Sequence, residues 1–209
     1  MNPDPFPLLH KVRRRLRKAV RRGRDRARIV AAFVWRRLML RTTVVAITGS
    51  VGKSTTKECL AAILSAHGST LKTANNQNCA RGVPRTLLAM RPWHRYAVIE
   101  VGTAVPGQMA RSARLVKPHV AVVLAVARTH TNNFRTLDDT AAEKAALLGA
   151  LARGGTAILN GDDDRVRRMA KGCRGNVVIF GRTVDCDVVA EEMGATWPER
   201  LHFTARSGA

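Results

Sequence analysis

The stretch Val44-Val45-Ala46-Ile47-Thr48-Gly49-Ser50-Val51-Gly52-Lys53-Ser54-Thr55-Thr56 decides how this chain is read. An apolar, β-branched run, as a buried strand requires, stops at a glycine. Three residues later Gly52-Lys53-Ser54 opens a segment with helical spacing. Strand, glycine turn and helix start in one piece make a phosphate cradle, because backbone N–H groups and the positive end of the helix dipole face an anion. Lys53 adds a cation for the β- and γ-phosphates, and the Ser54 hydroxyl suits Mg2+. Gly49, Ser50, Val51, Gly52, Lys53, Ser54 and Thr55 are the candidate nucleotide contacts, with ATP and Mg2+ as the expected ligands. The loop is compressed: the usual G-x-x-x-x-G-K-[ST] would put glycine where Ile47 stands, and Gly49 gives G-x-x-G-K-S instead. Cys59, Leu60, Ile63 and Leu64 are expected to form the apolar face of the following helix.

Working outward, strands and helices alternate. Apolar runs at 44–48, 97–101, 120–126, 156–159 and 177–180 read as buried parallel strands. Helical patterns fall at 54–67, 83–90, 107–116, 139–151 and 164–170. Right-handed crossovers between such strands predict a doubly wound, mostly parallel α/β sheet of P-loop type with helices on both faces. Ligands bind such sheets beyond the carboxyl ends of the strands. Glu100 closes the 97–101 strand, and a carboxylate there can reach a metal ion held by Ser54 and phosphate oxygens. The run Asp162-Asp163-Asp164 suits a helix-capping turn better than a metal cluster. His94 and His119 carry no chemical context and read as surface or loop residues.

The 209 residues suffice for one domain plus an appendage, divided here into an arm over 1–41 and a nucleotide-binding domain over 42–209. The net charge is +21, and fourteen of the 36 Lys and Arg residues lie between Lys11 and Arg41 against a lone Asp25. Val12, Leu16, Ala19, Gly23, Ala27, Val30, Val34 and Leu38 recur every three or four residues through that arm, so it reads as a basic amphipathic helix over 8–40. Its apolar run at 29–35 is too short to span a bilayer and lacks the features of a signal peptide. An anionic membrane surface is the favoured partner for residues 8–41. Packing on the domain or on another protein comes close behind. Nucleic acid ranks third, because no aromatic interleaving accompanies the charge. The four cysteines include no C-x-x-C pair, which fits a reduced, cytoplasmic setting and disfavours zinc. Cys59 reads as a small core residue.

The compressed loop, followed by Thr73-Ala74-Asn75-Asn76-Gln77-Asn78, Gly82-Val83-Pro84-Arg85-Thr86-Leu87-Leu88, Ala97-Val98-Ile99-Glu100-Val101-Gly102, Thr129-His130, Phe134, Ala142-Glu143-Lys144 and Ile158-Leu159-Asn160-Gly161-Asp162-Asp163, resembles the central domain of the Mur ligases. These are the ATP-dependent amide-forming enzymes of peptidoglycan assembly, and the branch adding D-alanyl-D-alanine to a UDP-muramoyl tripeptide is most similar. The resemblance runs from about Thr43 to the last residue. It implies that Glu100 and His130 bind metal and that Lys144 is a catalytic lysine carbamylated by CO2. It also implies that Asn76 and Asn78 approach the nucleotide or the acyl substrate, although Cys79 interrupts the family's asparagine pattern. Read from the residues alone, Lys144 is a helix lysine ion-paired to Glu143 in solvent. Asn160 and Asp163 either approach the adenine or cap the next helix.

The implied reaction activates a substrate carboxylate as an acyl phosphate, which an amino acid or dipeptide amine then attacks. Lys53, His130 and Lys144 are the candidate catalytic residues, and Ser54, Glu100 and His130 the candidate metal ligands. Against the family's three-domain plan, the arginine-rich arm stands where a UDP-sugar domain would be. The segment 201–209 reads as a β segment in mid-domain, so the C-terminal part of the domain is expected to be missing. Two other readings stay open: a nucleotide-binding module without ligase turnover, and a poly-γ-glutamate-type ligase.

Overall fold

The computed structural model describes residues 7–75, 77–128, 133–196 and 201–208. In β1 (Thr43–Thr48) every residue after Thr43 is buried, so both faces of the strand have to be covered. Val44 and Ala46 point into one apolar layer, and Val45 and Ile47 into the other. This period-2 alternation between two dry faces is what a central parallel strand demands.

The elements around it follow in order. The arm is α1 (Pro7–Leu38), and α2 (Lys53–Ser65) follows β1. Then come β2 (Thr70–Lys72), α3 (Gly82–Leu88), β3 (Tyr96–Glu100), α4 (Gln108–Val116), β4 (Val120–Val123) and α5 (Leu137–Ala145). The chain continues through β5 (Thr156–Asn160), α6 (Asp164–Arg168), β6 (Asn176–Gly181), β7 (Val188–Gly194) and β8 (His202–Ser207). Among the described residues one sheet of eight strands results, in the order β2-β3-β1-β4-β5-β6-β7-β8. All neighbours are parallel except β7 and β8. After β1 the chain builds β2 and β3 on one side and then crosses to β4 on the other. The carboxyl end of β1 is therefore the switch point at which a crevice opens.

The larger core lies on one face, where α3 supplies Val83 and Leu87 and α4 supplies Met109, Ala113 and Val116. On the other face α2 sets Ala61, Leu60 and Leu64 against Val45, Ile47, Val98 and Val122. The doubly wound α/β arrangement read from the sequence is the one observed.

Several local expectations change. Of α2's expected apolar face, Cys59 and Ile63 are exposed, while Lys57 is buried. The Lys57 stem is covered because its ammonium reaches inward to Glu100, 3.8 Å away. The strand expected to run to residue 126 ends at Val123, since the carbonyls of Ala125 and Ala127 turn to accept from Ser50. The helix expected from Asp139 starts at Leu137. Thr136 caps it, and Asp139 completes a capping box by accepting from the Thr136 N–H. The strand β7 was not expected. It alternates too weakly around Glu191 and Glu192 to stand out, and it is held by antiparallel pairing with β8.

The arm is a helix, but its predicted apolar stripe faces outward: Leu16, Val30, Val34 and Leu38 are all exposed. The covered side is Ala32, Arg36 and, just past the helix, Met39, with Trp35 packed partly against the same core.

Candidate functional site

Two glycines give the loop after β1 its shape. A Cβ on Gly49 would come within 2.9 Å of the Leu124 Cβ and 3.1 Å of the Val51 carbonyl. Gly52 caps α2 at φ +82°, in the left-handed region that glycine adopts without strain. The Ser50 N–H donates to the Ala125 carbonyl at 2.7 Å, and its hydroxyl to the Ala127 carbonyl at 3.0 Å. The loop is thereby pinned to the segment leaving β4. Lys53 Nζ folds back over it, donating to the carbonyls of Gly49 (2.8 Å) and Ser50 (3.0 Å). Val51 is exposed at the tip, and Thr55 is exposed on the first turn of α2. Thr48, the last residue of β1, keeps a buried hydroxyl with no hydrogen-bond partner among the described residues.

Glu100 ends β3, the immediate neighbour of β1, so its side chain emerges beside the loop. It is only 1% exposed. Its Oε2 accepts from the Ser54 hydroxyl at 3.0 Å and lies 3.8 Å from Lys57 Nζ. Its Oε1 accepts from Asn78 Nδ2 at 2.7 Å, and its backbone N–H donates to Thr73 Oγ1 at 3.0 Å. A hydroxyl and a carboxylate oxygen thus converge next to the phosphate loop.

The loop, Asn78, Thr103 and Lys144 enclose a cavity of about 300 Å3, which Lys53 also lines. Lys144, on α5, is 3% exposed. Burial, reinforced by the nearby Lys53 charge and opposed by Glu143, lowers its pKa from 10.5 to about 8. Burial also lowers the pKa of Lys53, with Glu100 opposing. The solvent-exposed Lys144–Glu143 ion pair expected from the residues alone does not form. Glu143 is instead spent on the loop into α4, accepting from the backbone N–H groups of Gly107 (2.7 Å) and Met109 (2.6 Å) and from Thr103 Oγ1 (3.1 Å).

Asn160 does not line this cavity. Its Oδ1 accepts from the Asp162 N–H at 3.0 Å, a local turn. Asp163 caps α6 through the N–H groups of Arg165 and Val166 and also accepts from Val126. The acidic run is thus a capping turn. His130 and Asn76 lie outside the described residues. His119, read as a loop residue, is half-buried and accepts from the Val44 N–H at 2.9 Å, with its pKa lowered by burial and by Arg36 and Lys117. Sequence reasoning passed over Lys57, Thr103 and Gln108. Lys57 had a signal, since it follows Lys53 by one helical turn. The other two sit after β3 with no pattern to mark them.

The chemistry of the donor set suits a hard cation bound together with phosphates. Among the described residues no group of three or more His, Cys, Asp or Glu side chains could hold a metal ion unaided. Mg2+ characteristically takes one or two protein oxygens and completes its shell with phosphate oxygens and water. Ser54 and Glu100 fit that requirement.

Comparison with known proteins gives the same picture. The family model described as the Mur ligase middle domain matches residues 47–202. The UDP-N-acetylmuramoyl-tripeptide–D-alanyl-D-alanine ligase of Escherichia coli K12 is 42% identical over 130 residues, covering 62% of this chain and 29% of that one. The enzyme of the same name from Mycobacterium tuberculosis H37Rv is 33% identical over 162 residues, 78% of this chain and 32% of that one. In three dimensions, MurF from Acinetobacter baumannii superimposes with a TM-score of 0.83 at 32% identity, covering 88% of this chain and 40% of that one. MurF ligase from Thermotoga maritima in complex with ADP gives 0.73 at 26% identity, covering 86% and 44%. The chain therefore spans about 30% of the length of the curated relatives it matches. With a compressed phosphate loop, a buried glutamate beside it and a match covering most of its length, the chain belongs to the Mur ligase family through that family's middle domain.

Proposed function

We propose that the chain binds Mg·ATP at residues 49–55 and forms the phosphoryl-transfer core of an ATP-dependent acid–amino acid ligase. The observation that carries this reading is the meeting of Lys53 and Lys144 in one cavity beside the phosphate loop, with the Ser54–Glu100 pair joined to the cavity wall through Asn78. The ADP complex of the Thermotoga relative supports the nucleotide. The relatives' names support a carboxylate-bearing muramoyl peptide and a dipeptide amine as the reactants, and peptidoglycan assembly as the setting.

In the proposed reaction a substrate carboxylate oxygen attacks the γ-phosphorus, and the bond to the ADP oxygen breaks. The amine nitrogen then attacks the acyl carbon, phosphate leaves with the C–O bond, and an amide forms with loss of a proton. Phosphoryl transfer needs mainly positioning and neutralised charge. Lys53 swings from the loop carbonyls to the β- and γ-phosphates. Ser54 and Glu100 would hold Mg2+, which when bound would offset the phosphate charge, and the family resemblance implies His130 as a ligand of a second metal ion. Lys144, with a pKa near 8, keeps a neutral fraction at physiological pH. Its amine can therefore take up CO2 and, with loss of a proton, become an anionic carbamate in the cavity. Asn78 orients Glu100 and lies beside the nucleotide. Asp163 takes the capping role at α6, and the Asn160 side chain is occupied in the turn before it.

No helix among the described residues is long and apolar enough to cross a membrane. The outward apolar stripe of α1, set among arginines, supports peripheral docking on an anionic membrane surface from the cytoplasmic side. Calorimetric titration with Mg·ATP tests the central reading: the full chain binds saturably and Lys53→Ala abolishes the heat. Absence of binding by the unsubstituted chain overturns it.

A further inference from the structure

Lys57 is a buried cation of which the proposed phosphoryl chemistry makes no use. It follows Lys53 by one turn of α2, yet of the two only Lys53 lines the phosphate cavity. Lys57 is 2% exposed. An ammonium so buried needs a carboxylate within reach. Two are present. Its Nζ lies 3.1 Å from Glu58 Oε1 and 3.8 Å from Glu100 Oε2. The first separation is that of a charge-assisted hydrogen bond, and the second is an ion pair too long to be one. Lys57 therefore stands between two carboxylates and leans toward Glu58.

The two carboxylates differ in their surroundings. Glu100 is buried, with Oε1 held by Asn78 and Oε2 shared by Ser54 and Lys57. Glu58 is exposed, and its Oε2 accepts from Lys72 of β2. Charges thus alternate from the surface inward: Lys72, Glu58, Lys57, Glu100. The line ends at the carboxylate oxygen that also meets the Ser54 hydroxyl.

We propose that Lys57 is a positioning residue that neutralises Glu100 before Mg2+ arrives and passes to Glu58 when Mg2+ takes its place. This role rests on the proposed reading of Ser54 and Glu100 as the Mg2+ site. A carboxylate as buried as Glu100 is costly without a cation beside it. A divalent ion on Oε2 and an ammonium within about 4 Å of the same oxygen repel each other, so they compete for one carboxylate. Glu58 gives the displaced ammonium a partner that it already touches, and Lys72 keeps that partner in place. Lys57 therefore sets how much Mg2+ the chain needs in order to hold ATP, without contacting ATP itself.

The test measures ATP binding to the full chain over a series of free Mg2+ concentrations and reads the concentration that half-saturates it. Lys57→Met is expected to lower that concentration by about tenfold while leaving ATP affinity at saturating Mg2+ unchanged. Lys57→Arg keeps the charge and stays within about twofold of the parent. Glu58→Gln removes the ammonium's second partner and raises the Mg2+ requirement by about threefold, whereas in a Lys57→Met background it has no effect, because Glu58 acts through Lys57. Glu58 is exposed, so Glu58→Gln decides the matter even if Lys57→Met fails to fold. The proposal is overturned if Lys57→Met leaves the Mg2+ requirement unchanged or raises it, or if Glu58→Gln alone leaves it unchanged or moves it equally in both backgrounds. Glu100→Gln separates the two levels. A parent-like Mg2+ requirement in that variant removes the Mg2+ site itself, whereas a raised requirement there beside an inert Lys57→Met removes only the role of Lys57.

Discussion

Lys144 shows what burial does to a single residue. A lysine that is 3% exposed has given up most of its hydration, and Glu143, its one adjacent carboxylate, is already engaged by backbone N–H groups at the start of α4. A pKa lowered from 10.5 to about 8 corresponds to roughly 3 kcal/mol of destabilisation of the charged form. The unfolded chain binds this proton more tightly than the folded one. Stability therefore rises with pH between about 8 and 10.5, and below about 8 the group contributes a constant penalty. Lys144→Met should raise stability at pH 7 by about 1–3 kcal/mol and flatten the gain on going to alkaline pH, read from urea midpoints at two pH values. On the proposed ligase reading, amide-forming turnover by a protein carrying this domain should be lost with the same substitution. A variant less stable than the parent at pH 7 would show that the ammonium is well solvated. This behaviour was not legible in the sequence. Glu143 beside Lys144 reads as a surface pair until the fold reveals that the carboxylate belongs to another helix. The placement of Gly49, Gly52, Lys53, Ser54 and Glu100 was legible, because it follows from local backbone geometry and from strand ends that a parallel sheet brings together.

Element α1 was legible as a helix but not in its phase. Two apolar faces coexist in it, and periodicity alone cannot say which one meets the domain. The docked face is chosen by polar groups. Trp35 Nε1 donates to the Met90 carbonyl at 3.0 Å, just beyond α3. Arg36 donates to the carbonyls of Val116 (2.7 Å) and Lys117 (2.8 Å), and Arg37 to those of Leu115 (3.0 Å) and Arg114 (2.8 Å). The last carbonyls of a helix lack intrahelical partners and sit at the negative end of its dipole, so two guanidinium groups answer both needs at the end of α4. Burial lowers the Arg36 pKa to about 10, with Arg37 adding to the effect, so the residue stays cationic through the physiological range. Arg36→Met leaves buried carbonyls unpaired and should cost about 2 kcal/mol, or about 4–8 °C in melting temperature for a chain of this size. Arg36→Lys should recover only part of that, since an ammonium cannot span two carbonyls as a planar fork does. An unchanged melting temperature for Arg36→Met would mean that the end of α1 rests on the domain without holding it.

At the scale of the whole molecule, the charge is distributed unevenly enough to separate two tasks. The sheet and its helices gather the proposed phosphate site at the carboxyl end of β1, where β3 and β4 flank it. The first half of α1 stands clear of that core with Leu16 59% and Val20 61% exposed, amid arginines at 13–15, 17, 21, 22 and 24. Apolar side chains turned to solvent on a strongly cationic helix are matched by a surface offering both anions and an acyl boundary. Each Lys or Arg near an anionic bilayer contributes on the order of 1 kcal/mol, and the attraction fades beyond a Debye length of about 8 Å at physiological salt, shrinking to about 3 Å at 1 M. The full chain should therefore co-sediment with phosphatidylserine vesicles at low ionic strength, release progressively as salt rises, and ignore phosphatidylcholine vesicles. Leu16→Asp with Val20→Asp should weaken sedimentation while leaving Mg·ATP binding intact, because neither residue touches the phosphate cavity. Binding to both vesicle types alike, or binding unmoved by salt, would leave the arm's charge without its proposed partner.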